Sequence, residues 1–101
     1  MTILGIDPGY DRIGIAVVND KTLIHSECFT TNPKDDFHIR LKNLGQRVNF
    51  IINEYEPDVM AIESLFITKN QKTAMKVAEA RGVISYEASL KKIPIFEYSQ
   101  P

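Results

Sequence analysis

Two short apolar runs in this chain each end in an acidic residue, and this arrangement constrains the fold more than any other feature. Residues 3–6 (Ile-Leu-Gly-Ile) precede Asp7, and residues 59–62 (Val-Met-Ala-Ile) precede Glu63. Each run has the length and composition of a buried β-strand, and a charged side chain at such a strand end is costly unless something pairs with it. We therefore expect Asp7 and Glu63 to lie at strand ends and to share a ligand.

The alternation of apolar, polar and turn-forming residues predicts the element order β-β-β-α-β-α-β. Strands are expected over residues 2–7, 13–18, 22–31, 59–63 and 95–98. A long helix is expected to open at Pro33 or Lys34 and to end at Pro57, and a second helix to run from an N-cap at Asn70 to about Lys92. This order predicts an α/β fold, a mixed sheet with helices on its faces.

Composition narrows the class of protein. The 101 residues are enough for one domain, and 12 basic against 13 acidic residues give a net charge of −1, so no global basic field marks a nucleic-acid binder. The single cysteine, Cys28, fits a reducing compartment. Neither a signal-peptide pattern nor a membrane-spanning run is present in the sequence, which predicts a cytoplasmic protein without membrane contact.

The chemistry expected of Asp7 and Glu63 is divalent-metal binding. Sites in such sheets form beyond the carboxyl ends of parallel strands, where both residues are predicted to lie. Two adjacent carboxylates repel each other, and a cation such as Mg²⁺, with Mn²⁺ as a substitute, removes that conflict. Two-metal phosphodiester hydrolysis uses three or four acidic ligands, and no convincing further pair follows Glu63. The alternative is that Asp7 caps a turn and Glu63 is an ordinary edge charge.

Five blocks of sequence resemble the RuvC family of Holliday junction resolvases, the crossover junction endodeoxyribonucleases. The blocks are residues 5–9 (Gly-Ile-Asp-Pro-Gly), 61–66 (Ala-Ile-Glu-Ser-Leu-Phe), 69–70 (Lys-Asn), 80–83 (Ala-Arg-Gly-Val) and 96–99 (Phe-Glu-Tyr-Ser). The resemblance implies an RNase H-like fold with a five-stranded mixed sheet. It also implies a homodimer that cuts four-way junction DNA symmetrically with Mg²⁺ in recombination and repair, alongside branch-migration proteins.

The resemblance also implies roles for individual residues. Asp7 and Glu63 match the family's first two metal-binding catalytic carboxylates. Phe66 matches an aromatic residue that wedges near the exchange point of the junction, and Lys69 falls where the family places a basic or polar residue close to DNA. The helix after Asn70, rich in small residues, resembles the one through which the family's subunits associate.

Two further lysines are candidate DNA contacts because of their spacing. Lys69, Lys72 and Lys76 lie three and four residues apart, so they share one face of the first turns of the second helix. Basic side chains there could meet phosphates, helped by the dipole at the helix amino terminus. The alternative is a solvated lysine face without a ligand.

The sequence departs from the family pattern in two places. The family carries its last two metal ligands on a C-terminal helix, and this sequence stops at Pro101 before that helix would begin. Tyr10 and Asp11 follow Asp-Pro-Gly where many relatives have a small polar and then a basic residue. We therefore expect a single nuclease domain over residues 1–101, C-terminally truncated, with weak Mg²⁺ binding and little or no cleavage.

Two alternative functions, from other classes of protein, remain open. An actin-like nucleotide-binding domain also begins with a strand, an Asp-x-Gly turn and a strand, although Tyr10 and Asp11 replace the small hydroxyl residues that usually touch phosphate. A non-catalytic DNA-binding or dimerisation module would keep the fold without the metal chemistry. ATP binding would favour the actin-like domain, whereas metal binding would argue against the non-catalytic module.

Overall fold

The computed structural model describes residues 1–64 and 70–99. The elements, in chain order, are β1 (Thr2–Asp7), β2 (Arg12–Asn19), β3 (Thr22–Thr30), α1 (Phe37–Tyr55), β4 (Val59–Glu63), α2 (Gln71–Leu90) and β5 (Ile95–Tyr98). The predicted order β-β-β-α-β-α-β is therefore confirmed, with all strand bounds within one residue of their expected positions. Within the described residues, neither helix is long and apolar enough to cross a membrane.

The five strands form one mixed sheet in the order β3-β2-β1-β4-β5. The first three make an antiparallel meander, and β4 pairs in parallel with both β1 and β5. Asp20 and Lys21, with φ of 48° and 70°, make the turn between β2 and β3. Two consecutive left-handed residues suit the tight turn of a right-twisted hairpin, so the predicted turn at residues 19–21 is confirmed.

The start of α1 differs from the sequence prediction. The helix begins at Phe37, with Asp36 as its N-cap, because the preceding residues form a separate turn. The amide of Asp35 donates to the carbonyl of Asn32 at 3.1 Å, and the amide of Lys34 donates to Asn32 Oδ1 at 3.0 Å. An asparagine side chain that accepts a backbone amide two residues later competes with helix formation, so the helix begins after this turn.

The end of α1 and the cap of α2 agree with the sequence more closely. α1 ends where Glu56 adopts φ 46°, directly before Pro57, and Asn70 caps α2 by accepting the amide of Thr73 at 3.3 Å. α2 ends at Leu90 because Lys92, with φ 57°, turns the chain into β5.

The predicted mixed sheet flanked by helices is confirmed, and both described helices pack on the same face of it, against one core. The crossovers β3-α1-β4 and β4-α2-β5 join parallel strands and proceed in the same direction along the sheet. Right-handed crossovers that run in one direction stay on one face. The core between this face and the helices contains Leu4, Ile6, Ile13, Ile15, Val17, Leu44, Val48, Ile51, Ile52, Met60, Ile62, Ala80, Ile84 and Ala88.

The opposite face, called here the open face, carries the residues that alternate with this core. Gly5, Gly14, Ala16 and Ala61 lie there in the middle of the sheet, half-buried and small. Alternation along β1 and β4 places Asp7 and Glu63 on the open face as well. The metal-binding candidates therefore project from the side of the sheet that the described helices leave uncovered.

Candidate metal and nucleic-acid site

The sheet topology brings Asp7 and Glu63 together. β1 and β4 are parallel neighbours whose pairing runs to Ile6 and Ile62, and the two acidic residues follow directly at the carboxyl ends. Their carboxyl groups lie within hydrogen-bonding reach of each other. The sequence predicted that the two residues meet if their strands are parallel neighbours, and β1 and β4 fulfil that condition.

Mutual contact changes the acidity of the pair. A hydrogen bond with Asp7 raises the pKa of Glu63 above the ordinary glutamate value, and partial desolvation and the negative charge of Asp7 act in the same direction. A divalent cation between the two groups would reverse this effect by favouring the ionised form. Two hard carboxylate oxygens facing solvent on an open sheet face fit Mg²⁺ or Mn²⁺, so the residues present are suited to such an ion.

The raised pKa of Glu63 makes stability depend on pH. The folded chain holds the Glu63 proton more tightly than the unfolded chain does, so the contribution of Glu63 to stability is fully present below the ordinary glutamate pKa and is lost as pH rises through the raised value. We expect Glu63→Gln to remove this loss. Thermal melts from about pH 4 to about pH 7 should fall less steeply for Glu63→Gln than for the wild type. Glu54→Gln, on the exposed side of α1, is the matched control, and equal slopes in all three proteins would contradict the prediction.

The surroundings of the pair leave room for a ligand. Gly14 lies opposite Asp7 in the β1–β2 register, and a Cβ atom there would come within 3.1 Å of Asp7 Cβ. A depression of ≈ 300 Å³ on the open face is lined by Asp7, Gly5, Gly14, Ala16 and Tyr98, among others. A larger residue at position 14 would press on the carboxylate, so glycine keeps this side of the site open.

Tyr98 is a neighbour of the site to which the sequence interpretation gave no role. It lies opposite Glu63 in the parallel β4–β5 register and therefore on the same face. Desolvation raises the pKa of Tyr98, and the carboxylates of Glu63 and Asp7 raise it further. The register of the strand after β4 could have revealed this neighbour, because residues paired across parallel strands share a face.

The turn after Asp7 is held by a buried arginine from α1. The side chain of Arg40 is only 8% exposed, and its guanidinium donates to the carboxylate of Asp11 and, at 2.9 Å, to Thr31 Oγ1. The hydroxyl of Thr31 donates in turn to the carbonyl of Tyr10. Tyr10 and Asp11, which depart from the family pattern, are thus part of a network that fixes the turn.

The candidate lysines on α2 lie beside this turn. Lys76 Nζ is 5.2 Å from the ring centre of Tyr10 and 5.7 Å from that of Phe37, which are cation–π distances. Lys72 and Lys76 border a depression of ≈ 270 Å³. Phe66 and Lys69, the other two DNA-binding candidates, lie outside the described residues.

Within residues 1–64 and 70–99, no group of three or more His, Cys, Asp or Glu side chains is placed to hold a metal ion. Glu97, a possible third ligand near the end of the chain, lies on the helix face instead. It pairs with Ile62 in the register and accepts a hydrogen bond from Arg81 at 2.6 Å. The described site therefore consists of two carboxylates.

Comparisons with known proteins agree on one family. The family model for crossover junction endodeoxyribonuclease RuvC matches residues 3–101. The RuvC protein of Petrotoga mobilis is 43% identical over 103 residues, which cover 98% of this chain and 63% of the relative. The chain thus spans less than two thirds of the length of this relative.

Solved structures show the same fold. Thermus thermophilus RuvC in complex with a Holliday junction substrate superposes with a TM-score of 0.93 at 28% identity, over 98% of this chain and 65% of that one. The ROK hexokinase from Thermus thermophilus superposes with a TM-score of 0.58 at 16% identity and is covered over 34% of its length. The likeness to the hexokinase shows a shared fold alone, whereas the sequence match extends over nearly the whole chain. The chain belongs to the RuvC family of crossover junction endodeoxyribonucleases.

Proposed function

We propose that this chain carries two of the metal-binding carboxylates of an endonuclease that resolves four-way DNA junctions by Mg²⁺-dependent phosphodiester hydrolysis. The observation that carries the proposal is the contact between Asp7 and Glu63 at the ends of adjacent parallel strands, on an open sheet face. Support also comes from the solved relative bound to a Holliday junction substrate.

In this proposal, Asp7 and Glu63 hold the ion on the open face, and the neighbouring glycine surface admits the DNA backbone. A bound divalent ion supplies Lewis acidity for the phosphodiester and lowers the pKa of an attacking water. Gly14 leaves space beside Asp7, and the hydrogen bonds of Arg40 and Thr31 hold the turn after Asp7. Because two carboxylates are fewer than the usual set, we expect weak ion binding and little or no cleavage by this chain itself.

The partners follow from the same proposal. Four-way junction DNA is the substrate, two copies of the chain act as a homodimer, and branch-migration proteins are its functional partners. The test compares a synthetic four-way junction with a linear duplex of the same sequence, with cleavage read in Mg²⁺ and binding read in Ca²⁺. Preference for the junction supports the proposal, and equal binding of both DNAs contradicts it. ATP binding in the same buffer would instead favour the actin-like reading.

Lys72 and Lys76 are proposed to contact phosphates of the junction. We expect the double variant Lys72→Ala/Lys76→Ala to weaken junction binding and to make the plot of log affinity against log salt shallower by about 1 to 2, since each lost phosphate contact removes about 0.9. Lys42→Ala and Lys21→Ala, combined, make the same charge change at exposed positions elsewhere. If this control pair alters the slope as much as the α2 pair does, the effect is one of net charge and the assignment is wrong.

A further inference from the structure

The carboxyl end of β4 is held differently from the rest of the strand. The pairing between β1 and β4 ends at Ile6 and Ile62, so the backbone of Glu63 lies just beyond that ladder. On its other side, the amide of Ser64 donates to the carbonyl of Tyr98 at 2.7 Å. The carbonyl of Glu63 accepts a hydrogen bond from a side chain, Arg81 Nε, at 3.3 Å.

Arg81 connects three elements at this point. It projects from α2, its side chain is 17% exposed, and its Nη2 donates to Glu97 Oε1 on β5 at 2.6 Å. A guanidinium can make both bonds at once because its donors form a rigid planar fork. Arg81 therefore ties the end of β4 to α2 and to β5 on the face of the sheet opposite to the carboxylate pair.

We propose that Arg81 is a positioning residue of the metal site, which fixes the backbone from which the Glu63 side chain reaches towards Asp7. The proposal rests on the proposed function of that pair as a divalent-ion site. Beyond the last β1–β4 pair, the bond from Arg81 and the pairing with the edge strand β5 hold the backbone of Glu63. Arg81 acts through the backbone of Glu63, from the face of the sheet opposite to the carboxylate pair.

The test measures Mn²⁺ binding to the whole chain by paramagnetic broadening of its amide NMR signals. We expect Arg81→Met to weaken Mn²⁺ binding by about tenfold, the lower end of the effect of residues that orient metal ligands. Amide hydrogen exchange at Ser64 should also become faster in this variant. The Mn²⁺ affinity of Arg81→Lys should lie between those of the wild type and Arg81→Met, because one ammonium group cannot reproduce both bonds.

Arg47→Met is the matched control. Arg47 makes an ion pair from α1 to Glu27 on β3, with bonds of 2.8 and 2.5 Å, and these bonds go to a side chain rather than to the backbone of a metal-binding candidate. We expect this variant to lower the melting temperature at least as much as Arg81→Met and to keep the Mn²⁺ affinity within about twofold of the wild type. A loss of Mn²⁺ affinity in Arg81→Met but not in Arg47→Met therefore indicates a positioning role for Arg81 rather than a general loss of stability.

The outcomes divide clearly. Equal Mn²⁺ affinity in the wild type and Arg81→Met overturns the positioning role, while wild-type binding that Asp7→Asn removes still supports the metal site. If the wild type shows no Mn²⁺ binding that depends on Asp7, both proposals fail. If Arg81→Met does not fold, the Mn²⁺ affinity of Arg81→Lys is compared with that of Glu97→Gln. The Glu97→Gln variant keeps Arg81 and its bond to the Glu63 carbonyl. Weaker Mn²⁺ binding by Arg81→Lys than by Glu97→Gln supports the inference, and equal Mn²⁺ binding overturns it.

Discussion

Replacing Asp7 with asparagine is expected to remove divalent-ion binding and, at neutral pH, to make the ion-free chain more stable. Asparagine keeps the shape of the side chain but loses its charge, so the ion loses one of its two anionic ligands in the described site. Because residues that only orient a ligand contribute about 10–100-fold to metal affinity, loss of the ligand itself should cost at least about tenfold. The same change removes the carboxyl group whose hydrogen bond and negative charge raise the pKa of Glu63, which accounts for the gain in stability.

Thermal melts with and without Mn²⁺ check both halves of this prediction. Mn²⁺ should raise the melting temperature of the wild type by mass action and leave Asp7→Asn unchanged. Asp20→Asn is the control, because Asp20 lies in the β2–β3 turn and pairs with the chain's amino group at 2.8 Å. A drop in ion-free stability on replacing Asp7 would mean that this residue serves the fold, as a turn cap, rather than a metal site.

Among substitutions of a glycine by alanine in this chain, Gly9→Ala is expected to cause the largest loss of stability. A Cβ atom at this position would lie 2.2 Å from the carbonyl oxygen of Arg12 and 3.3 Å from its carbon, so backbone has to move. Forced overpacking costs about 1–3 kcal/mol and sometimes more, and a clash with backbone belongs at the upper end, about 3 kcal/mol. For a domain of this size, that corresponds to a drop in melting temperature of about 12 °C or more.

Gly82→Ala provides the control for the same chemical change. Gly82 lies in the interior of α2, and a Cβ atom there meets nothing within 4 Å. Alanine in an open helical position should stabilise the chain by about 0.5–1 kcal/mol. Denaturant unfolding of both variants measures the difference, and a Gly9→Ala protein as stable as Gly82→Ala would show that the turn after Asp7 adapts without strain.

The fold could be predicted from the sequence because its elements are marked by local chemistry. Alternating apolar residues, the Asn19-Asp20-Lys21 turn, the N-cap Asn70 and the break at Pro57 each act over a few residues, and each was found where expected. The Asp7–Glu63 contact followed from one topological step, the parallel pairing of the two strands that carry them.

The remaining features depend on contacts between distant residues. Nothing in the sequence distinguishes Arg40 from other charged residues of a helix. Its burial against Thr31 and Asp11 results from the packing of α1 across the antiparallel strands. Arg81 and Glu97 are also unremarkable until α2 and β5 are placed beside each other. The placement of both helices on one face follows from crossover direction, which needs the strand order rather than the strand positions.

The order of assembly during folding is a consequence of how the β-sheet joins its strands. β1, β2 and β3 form hairpins between neighbouring segments, whereas β1 meets β4 only after α1 has crossed the sheet. Contacts between nearby residues form early, and pairings between distant segments form late. We therefore expect Asp7 and Glu63 to meet only after α1 has crossed the sheet, so that the carboxylate pair forms together with the core and not before it.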